Sequence, residues 1–325
     1  MTSNHPAEAR TATPRVGSSS SHGKTILIGE HAVVYGEPAL VLPVNDVRVT
    51  ATVTPTPERS GHGLTSAVHT GPLDLAPAAV MPTVTAVTAT LRYLGVEDQH
   101  VHVRVDSAVP TARGMGSSAA VAAAVTAAVA DAFGVCLDAE THHELIQECE
   151  RIAHGRPSGL DARGVVSDVP VWFEGGSIEP VALTGEFVFV VADTGVPGHT
   201  RQAVAAVREH HTRDPRAVGA VLADIGDLAR QARGTLVDGD AQALGATMDA
   251  AHGLLRTLDV SSPDLDRLVG AARNAGALGA KLTGGGRGGC LLALATDGDH
   301  ADRIATALGD AGAAATWTTR IGDRA

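Results

Sequence analysis

Three stretches of this chain combine glycines, hydroxyls and carboxylates at spacings that suit the handling of a phosphate. In "PTARGMGSSAAVAAAV" (residues 110–125), Gly114 and Gly116 precede Ser117 and Ser118 and then an alanine-rich run. A glycine turn that opens a helix leaves free N–H groups and the positive end of the helix dipole for an anion, and serine hydroxyls reach a phosphate oxygen or Mg2+. An ordinary helix start reads the same way, so this segment needs partners. "ECERIAHGRPSGLDARG" (148–164) offers Glu150 near the end of a helical stretch and Asp161 after a Gly/Pro/Ser turn that can fold the second carboxylate back beside the first. Such a pair suits phosphoryl transfer, one carboxylate holding Mg2+ and the other accepting the proton of an attacking hydroxyl. A solvated helix end with a capping aspartate is the plainer alternative. "AKLTGGGRGGC" (280–290) places five glycines between Gly284 and Gly289, with Lys281 at the entrance. Such a run costs backbone entropy and usually marks close approach to a ligand or a tight left-handed path; a flexible hairpin is the alternative.

A fourth stretch, "GSSSSHGKTILIGEH" (17–31), contains Gly-Lys-Thr, the end of a P-loop. That motif needs a glycine, four residues and then Gly-Lys-Ser/Thr on a turn from strand into helix. Here five residues separate Gly17 from Gly23, and the apolar "TILIG" after the lysine reads as a strand. Lys24 therefore answers to a different chemistry. Of 25 basic residues only Lys24 and Lys281 are lysines. A compact ammonium differs from a planar guanidinium, which makes these two lysines candidates for places where arginine would not fit or function, although mutational bias gives the same count.

The elements that must carry these residues are mixed. Residues 1–20 are rich in Ser, Thr, Ala and Pro and are expected to be disordered. "KTILIG", "AVVYG", "PALVLPV" and "VRVTATVTP" read as successive strands, and 59–77 as a loop-like insertion. Helices are expected at 79–94, 117–133 and 138–154, with a strand at 101–107. The second half predicts a strand from 185, helices at 199–211, 215–234 and 239–257, and a further helix capped by Ser262 with Pro263 at its first position. "CLLALAT" and "AATWTTRI" close the chain as strands. The pattern is an α+β chain with a boundary between 183 and 184.

A net charge of −11 and the absence of a Lys/Arg cluster argue against a nucleic-acid or membrane surface and for a small-molecule partner. No apolar stretch approaches the roughly 18 to 20 residues of a membrane span, so a soluble, cytoplasmic protein is expected. Cys136, Cys149 and Cys290 are too scattered for a disulfide framework or a Cys-x-x-Cys metal site. The pairs His142-His143 and His210-His211 diverge on a helix and are expected at the surface rather than on a shared metal.

Taken together, "GKTILIGEHAVVYGEPAL", "PTARGMGSSAA" and "KLTGGGRGGC" resemble, in order and spacing, the three motifs of the GHMP small-molecule kinases. "ERIAHGRPSGLD" and the Lys-x5-Glu-His pattern from Lys24 to His31 resemble the mevalonate kinase branch most, and the likeness runs from about 24 to 290. The resemblance implies a two-lobed fold, with a ribosomal-protein-like β/α nucleotide-binding domain over 21–183 and a ferredoxin-like α/β domain over 184–325. It implies an ATP- and Mg2+-dependent kinase acting on mevalonate, with a homodimer suggested. Lys24 and Asp161 would be catalytic, and Glu30, His31 and Thr200 would meet the substrate. Gly114, Gly116, Ser117, Ser118, Gly284, Gly285 and Gly286 would meet the nucleotide, and Glu150 with Ser117 or Ser118 the Mg2+. Kinases of phosphomevalonate, homoserine or a sugar, or a ligand sensor on the same fold, are the alternatives. Three departures stand out: Met115 replaces the usual leucine, and Gly285 and Arg287 stand where Ala and Gly are commoner. Arg287 would neutralise phosphate charge or point to solvent.

Overall fold

The structure is a computed structural model that describes residues 13–57, 61–155 and 157–322. Along the chain these form β1 (Gly17–Ile28), β2 (Ala39–Thr56), β3 (Gly63–Thr65), β4 (Thr70–Pro72), α1 (Met81–Leu94), β5 (His100–Ser107), α2 (Ser117–Ala132), α3 (Ala139–His154) and α4 (Leu160–Gly164). There follow β6 (Val171–Glu174), β7 (Ser177–Pro180), β8 (Glu186–Asp193), α5 (Thr200–Arg213), α6 (Pro215–Asp238), α7 (Ala241–Thr257) and α8 (Pro263–Asn274). The chain ends with β9 (Gly279–Leu282), β10 (Cys290–Ala295), α9 (Gly298–Asp310) and β11 (Ala315–Gly322). The α+β class expected from the sequence is the class observed.

Several local expectations are corrected. Gly17–Ser20 are not part of a disordered tail but begin β1; residues 1–12 lie outside the described residues. The Ser18 amide donates to Asp131 Oδ2 (3.0 Å) and its hydroxyl to Ala51 O (3.3 Å), so polar residues join a strand because their hydrogen bonds are met by neighbours distant in sequence. "AVVYG" is a 3-10 turn, Ala32–Tyr35, closed by Gly36 at φ 93°. "PALVLPV" and "VRVTATVTP" are a single strand, β2, fully buried at its start and alternating afterwards. The loop expected at 59–77 contains the β3–β4 hairpin, while 58–60 lie outside the described residues. The sequence reading passed over α4, α9 and the strands β6, β7 and β9.

The chain divides into two compact, interleaved units, and the expected 183/184 boundary falls inside the second. The first comprises residues up to 23, 47–110 and 116–166. Here the end of β2 pairs antiparallel with β5, from Val49 opposite Ser107 to Thr56 opposite His100, and β3 adds to β5 in parallel. Helices α1, α2 and α3 pack on one another. Helix α2 is alanine-rich and buried on most of its surface, from Ala119 to Ala132, because small side chains let its neighbours approach from every side.

The second unit comprises 24–46, 111–115 and 167 onward. Its four-stranded antiparallel sheet has the order β11-β8-β10-β9, with Leu292 opposite both Val191 and Lys281. The β6–β7 hairpin pairs with the start of β2, Ala39 opposite Phe173. Ser262 caps α8 by accepting from the Leu265 amide, and Asp297 caps α9 by accepting from the His300 amide.

Candidate active site

In the second unit, the chain leaving β1 turns at Gly29 and places Glu30 and His31 in the interior, 2% and 5% exposed. Lys24 is buried on β1 itself, and its amide donates to Met115 O (3.0 Å), which ties the first motif to the second. Strand β9 brings Lys281, with no exposed surface, against the same turn: its ammonium donates to Glu30 Oε1 (2.5 Å) and to Leu282 O (2.7 Å). Burial pushes the Glu30 carboxyl above the usual carboxylate range, opposed by the charges of Lys281 and Lys24. It pushes the Lys281 ammonium down, opposed by Glu30. Glu30 Oε2 is buried with no hydrogen-bond partner.

His31 holds a left-handed backbone, φ 62°, uncommon for a residue with a side chain. Its Nε2 lies 3.0 Å from Gly285 O, and since a carbonyl only accepts, Nε2 carries the proton. Burial lowers the imidazole pKa to about 4, so the ring is neutral near pH 7 and Nδ1 is a lone-pair acceptor. That nitrogen is buried without a partner. Glu30 and His31, consecutive in the chain, thus each offer a buried acceptor, which suits the hydroxyl proton of an alcohol.

The glycine run forms the loop from Thr283 to Gly289, and its path explains the departures in its sequence. Thr283 Oγ1 meets Thr25 Oγ1 (2.7 Å) and donates to Ile26 O (2.9 Å), fastening the loop to β1. Gly284, at φ 78°, faces Gly114, at φ 82°; a Cβ on Gly284 would lie 3.2 Å from the Gly114 Cα. A methyl at Gly285 would overlap the backbone and hydroxyl of Thr200, the first residue of α5. Thr200 and the loop therefore meet, and the small residue at 285 follows from that contact. The Arg287 guanidinium donates to Asp259 O and Oδ2, both at 3.1 Å, and its amide to Val260 O. Met115 is buried, as a leucine would be.

Among the described residues the non-glycine positions with left-handed backbone are His31, Ala112, Asp259 and Arg287. His31 bonds to the loop, Arg287 belongs to it, and Asp259 is Arg287's partner. Ala112 O accepts from the Gly198 amide two residues before Thr200. Backbone strain in this unit gathers around one loop, as it does at sites whose shape matters.

The first unit presents a more regular arrangement. Gly116 caps α2 in a left-handed conformation, φ 69°, without a side-chain hydrogen bond, so the N–H groups of the first turn are left for another partner. Ser118 Oγ is buried with no partner. Glu150 is buried on α3, 3.7 Å from His154 Nε2, and Asp161 stands in the first turn of α4, which packs on α2 and α3. Among the described residues no three His, Cys, Asp or Glu side chains gather as a metal cluster. His142 is half-buried, and its Nε2 lies 3.0 Å from Ala123 O and joins α3 to α2.

Sequence reasoning missed His252, a buried imidazole whose Nδ1 accepts from the Leu282 amide (3.4 Å) beside Lys281. It missed the pair of Arg113 and Asp193 (2.8 Å), which holds the segment before Gly114 to the end of β8. A lone histidine in an amphipathic helix and an arginine in a loop carry no local signal. Lys281 did carry one, the rarity of lysine, without a role attached.

The family model for "GHMP kinases N terminal domain" matches residues 82–167, and that for "GHMP kinases C terminal" matches 228–314. The mevalonate kinase of Aeropyrum pernix is 38% identical over 305 residues, 88% of this chain and 90% of that one. The mevalonate kinase of Thermococcus sibiricus is 34% identical, covering 90% and 92%. Among solved structures, L. major mevalonate kinase in complex with R-mevalonate superposes with a TM-score of 0.85 at 26% identity, over 97% of this chain and 99% of that one. With likeness of this extent at both the sequence and the structural level, the chain belongs to the mevalonate kinase family of the GHMP kinases.

Proposed function

We propose that this protein transfers the γ-phosphoryl group of ATP to the C5 hydroxyl of (R)-mevalonate, forming 5-phosphomevalonate on the route to isoprenoids. The observation that carries the substrate side is the two buried, unpartnered acceptors on consecutive residues, Glu30 Oε2 and His31 Nδ1. They complement hydroxyl protons, and beside them Lys24 and Lys281 supply positive charge that acts on Glu30. In this reading residues 21–183 and 184–325 are the N- and C-terminal kinase domains, the enzyme works in the cytoplasm, and it forms a homodimer. Among the described residues no helix is long and apolar enough to cross a membrane.

Catalysis would be mostly positioning and electrostatics. Glu30, His31 and Thr200 orient the acceptor alcohol. Lys24 stabilises negative charge on the reacting oxygens, and Asp161 accepts the proton of the attacking hydroxyl. Gly114, Gly116, Ser117 and Ser118 would cradle the phosphates with backbone amides and hydroxyls, and Gly284, Gly285 and Gly286 would let the nucleotide approach the backbone. The oxygen donors available fit Mg2+: the buried carboxylate of Glu150 and the unpartnered Ser118 hydroxyl, with Ser117 beside it. Mg2+ held there would neutralise charge on the transferring phosphoryl group.

An ADP-release assay with Mg-ATP and a panel of mevalonate, phosphomevalonate, homoserine and galactose tests this reading. Turnover of mevalonate above the other three is expected, and its absence removes the substrate assignment.

A further inference from the structure

Lys281 is one of two lysines in the chain, and no catalytic role absorbs it. The surroundings of its ammonium explain why arginine does not stand there. The side chain has no exposed surface, and its two contacts, Glu30 Oε1 at 2.5 Å and Leu282 O at 2.7 Å, converge on one nitrogen. A guanidinium carries its donors on a wide planar fork and would need a larger cavity. The bond to Glu30 spans 251 positions of sequence and links β9 to the turn after β1. It occupies one carboxylate oxygen only, leaving Oε2 as an acceptor in the interior.

We propose that Lys281 is a positioning residue of the acceptor-alcohol pocket: it fixes the orientation and negative charge of Glu30, so that Oε2 faces the substrate hydroxyl as an acceptor. This rests on the reading of Glu30 as a substrate residue. Charged or titratable groups face the pair from other elements: Lys24 from β1, His31 from the following turn and His252 from α7, while Arg287 from the glycine loop acts on His31. The Lys281 hydrogen bond goes to Oε1, and Oε2 is the oxygen left open. Without that ammonium, burial acts on Glu30 with less opposition, and its carboxyl takes up a proton at higher pH. A protonated carboxyl presents a donor where the pocket needs an acceptor.

The test compares wild type, Lys281→Met, Glu30→Gln and the double variant, each checked for folding by thermal unfolding, in steady-state assays between pH 5.5 and 9. Lys281→Met is expected to raise KM for mevalonate by about tenfold or more, the scale of one charge-assisted hydrogen bond, with KM for ATP changed less than about twofold. Its kcat/KM for mevalonate should gain an acid limb at higher pH than any that wild type shows, and the double variant should lack it. In the Glu30→Gln background, adding Lys281→Met should cost almost nothing further. Equal loss for both substrates, no new acid limb, or additive losses in the double variant would each overturn the proposal. If Lys281→Met does not fold, the comparison of Glu30→Gln with the double variant decides, because removing both charges leaves no unpaired ion in the interior. If wild type prefers another alcohol from the panel, the same comparison on that alcohol tests Lys281 separately from the substrate assignment.

Discussion

Ser117 and Ser118 reach their positions through the helix that contains them, whereas Glu30 and His31 are held by Lys281 and Gly285, 251 and 254 positions away. The start of α2 needs a left-handed glycine and a run of helix formers, and its anion-binding capacity comes from backbone dipoles common to any helix N-terminus. The turn after β1 needs buried charges of both signs, a strained histidine and a loop whose glycines are required by contacts with Thr200 and Val260. The helix terminus therefore tolerates local change, and the turn depends on several distant segments at once.

The largest effects expected are on the proposed chemistry. Lys24→Met and Asp161→Asn should each lower kcat by on the order of 10² or more, the range of lost electrostatic or acid–base terms, and Lys24→Arg should also be damaging. A near-normal kcat in any of these, measured at saturating ATP and mevalonate, removes that residue from its role. Next comes the crowded loop. Gly285→Ala, a change toward the commoner family residue, should cost about 1–3 kcal/mol in urea unfolding here, because its methyl meets Thr200. Unchanged stability would show that the loop yields and that the contrast with α2 is overstated.

A smaller effect should appear at the helix start. Ser118→Ala is expected to lower kcat/KM for Mg-ATP by about tenfold while leaving unfolding stability equal or slightly higher, since its buried hydroxyl has no partner to lose. A large loss of stability would mean that the hydroxyl supports the fold instead. A last effect is a slope with pH. His31 stays neutral in the folded state down to about pH 4 but takes a proton near pH 6.5 when unfolded. Between those values the unfolded chain binds more protons, so stability is full above about pH 6.5 and falls as pH drops toward 4. The slope is about 1.4 kcal/mol per pH unit for one such histidine. His31→Gln should flatten unfolding stability measured at pH 7, 6 and 5 by about that amount, and an unchanged slope would assign the acid sensitivity elsewhere, to His252 first.

Most helices were legible because their signals are local: the Ser262-Pro263 start of α8, the alanine run of α2 and the apolar period of α6 and α7 all lie within a few turns of chain. What failed depended on neighbours far along the sequence. Ser18 joins a strand because Asp131 and Ala51 satisfy it, and Ala32–Tyr35, apolar enough for a strand, form a 3-10 turn between the strained His31 and left-handed Gly36. Both lysines were singled out by rarity, yet rarity could not distinguish Lys24 on β1 from Lys281, whose partner is Glu30.

The sequence by itself determined the α+β class, the three motifs and the residue types available for phosphoryl transfer, because glycine turns, helix starts and carboxylate spacing are written in short windows. Only the tertiary structure decided which oxygen of Glu30 is left open and which nitrogen of His31 carries the proton. It also decided why residue 285 has no side chain and where Arg287 points. Those outcomes depend on distances of about 3 Å between atoms more than 200 positions apart in several cases, a scale at which chain order carries no information.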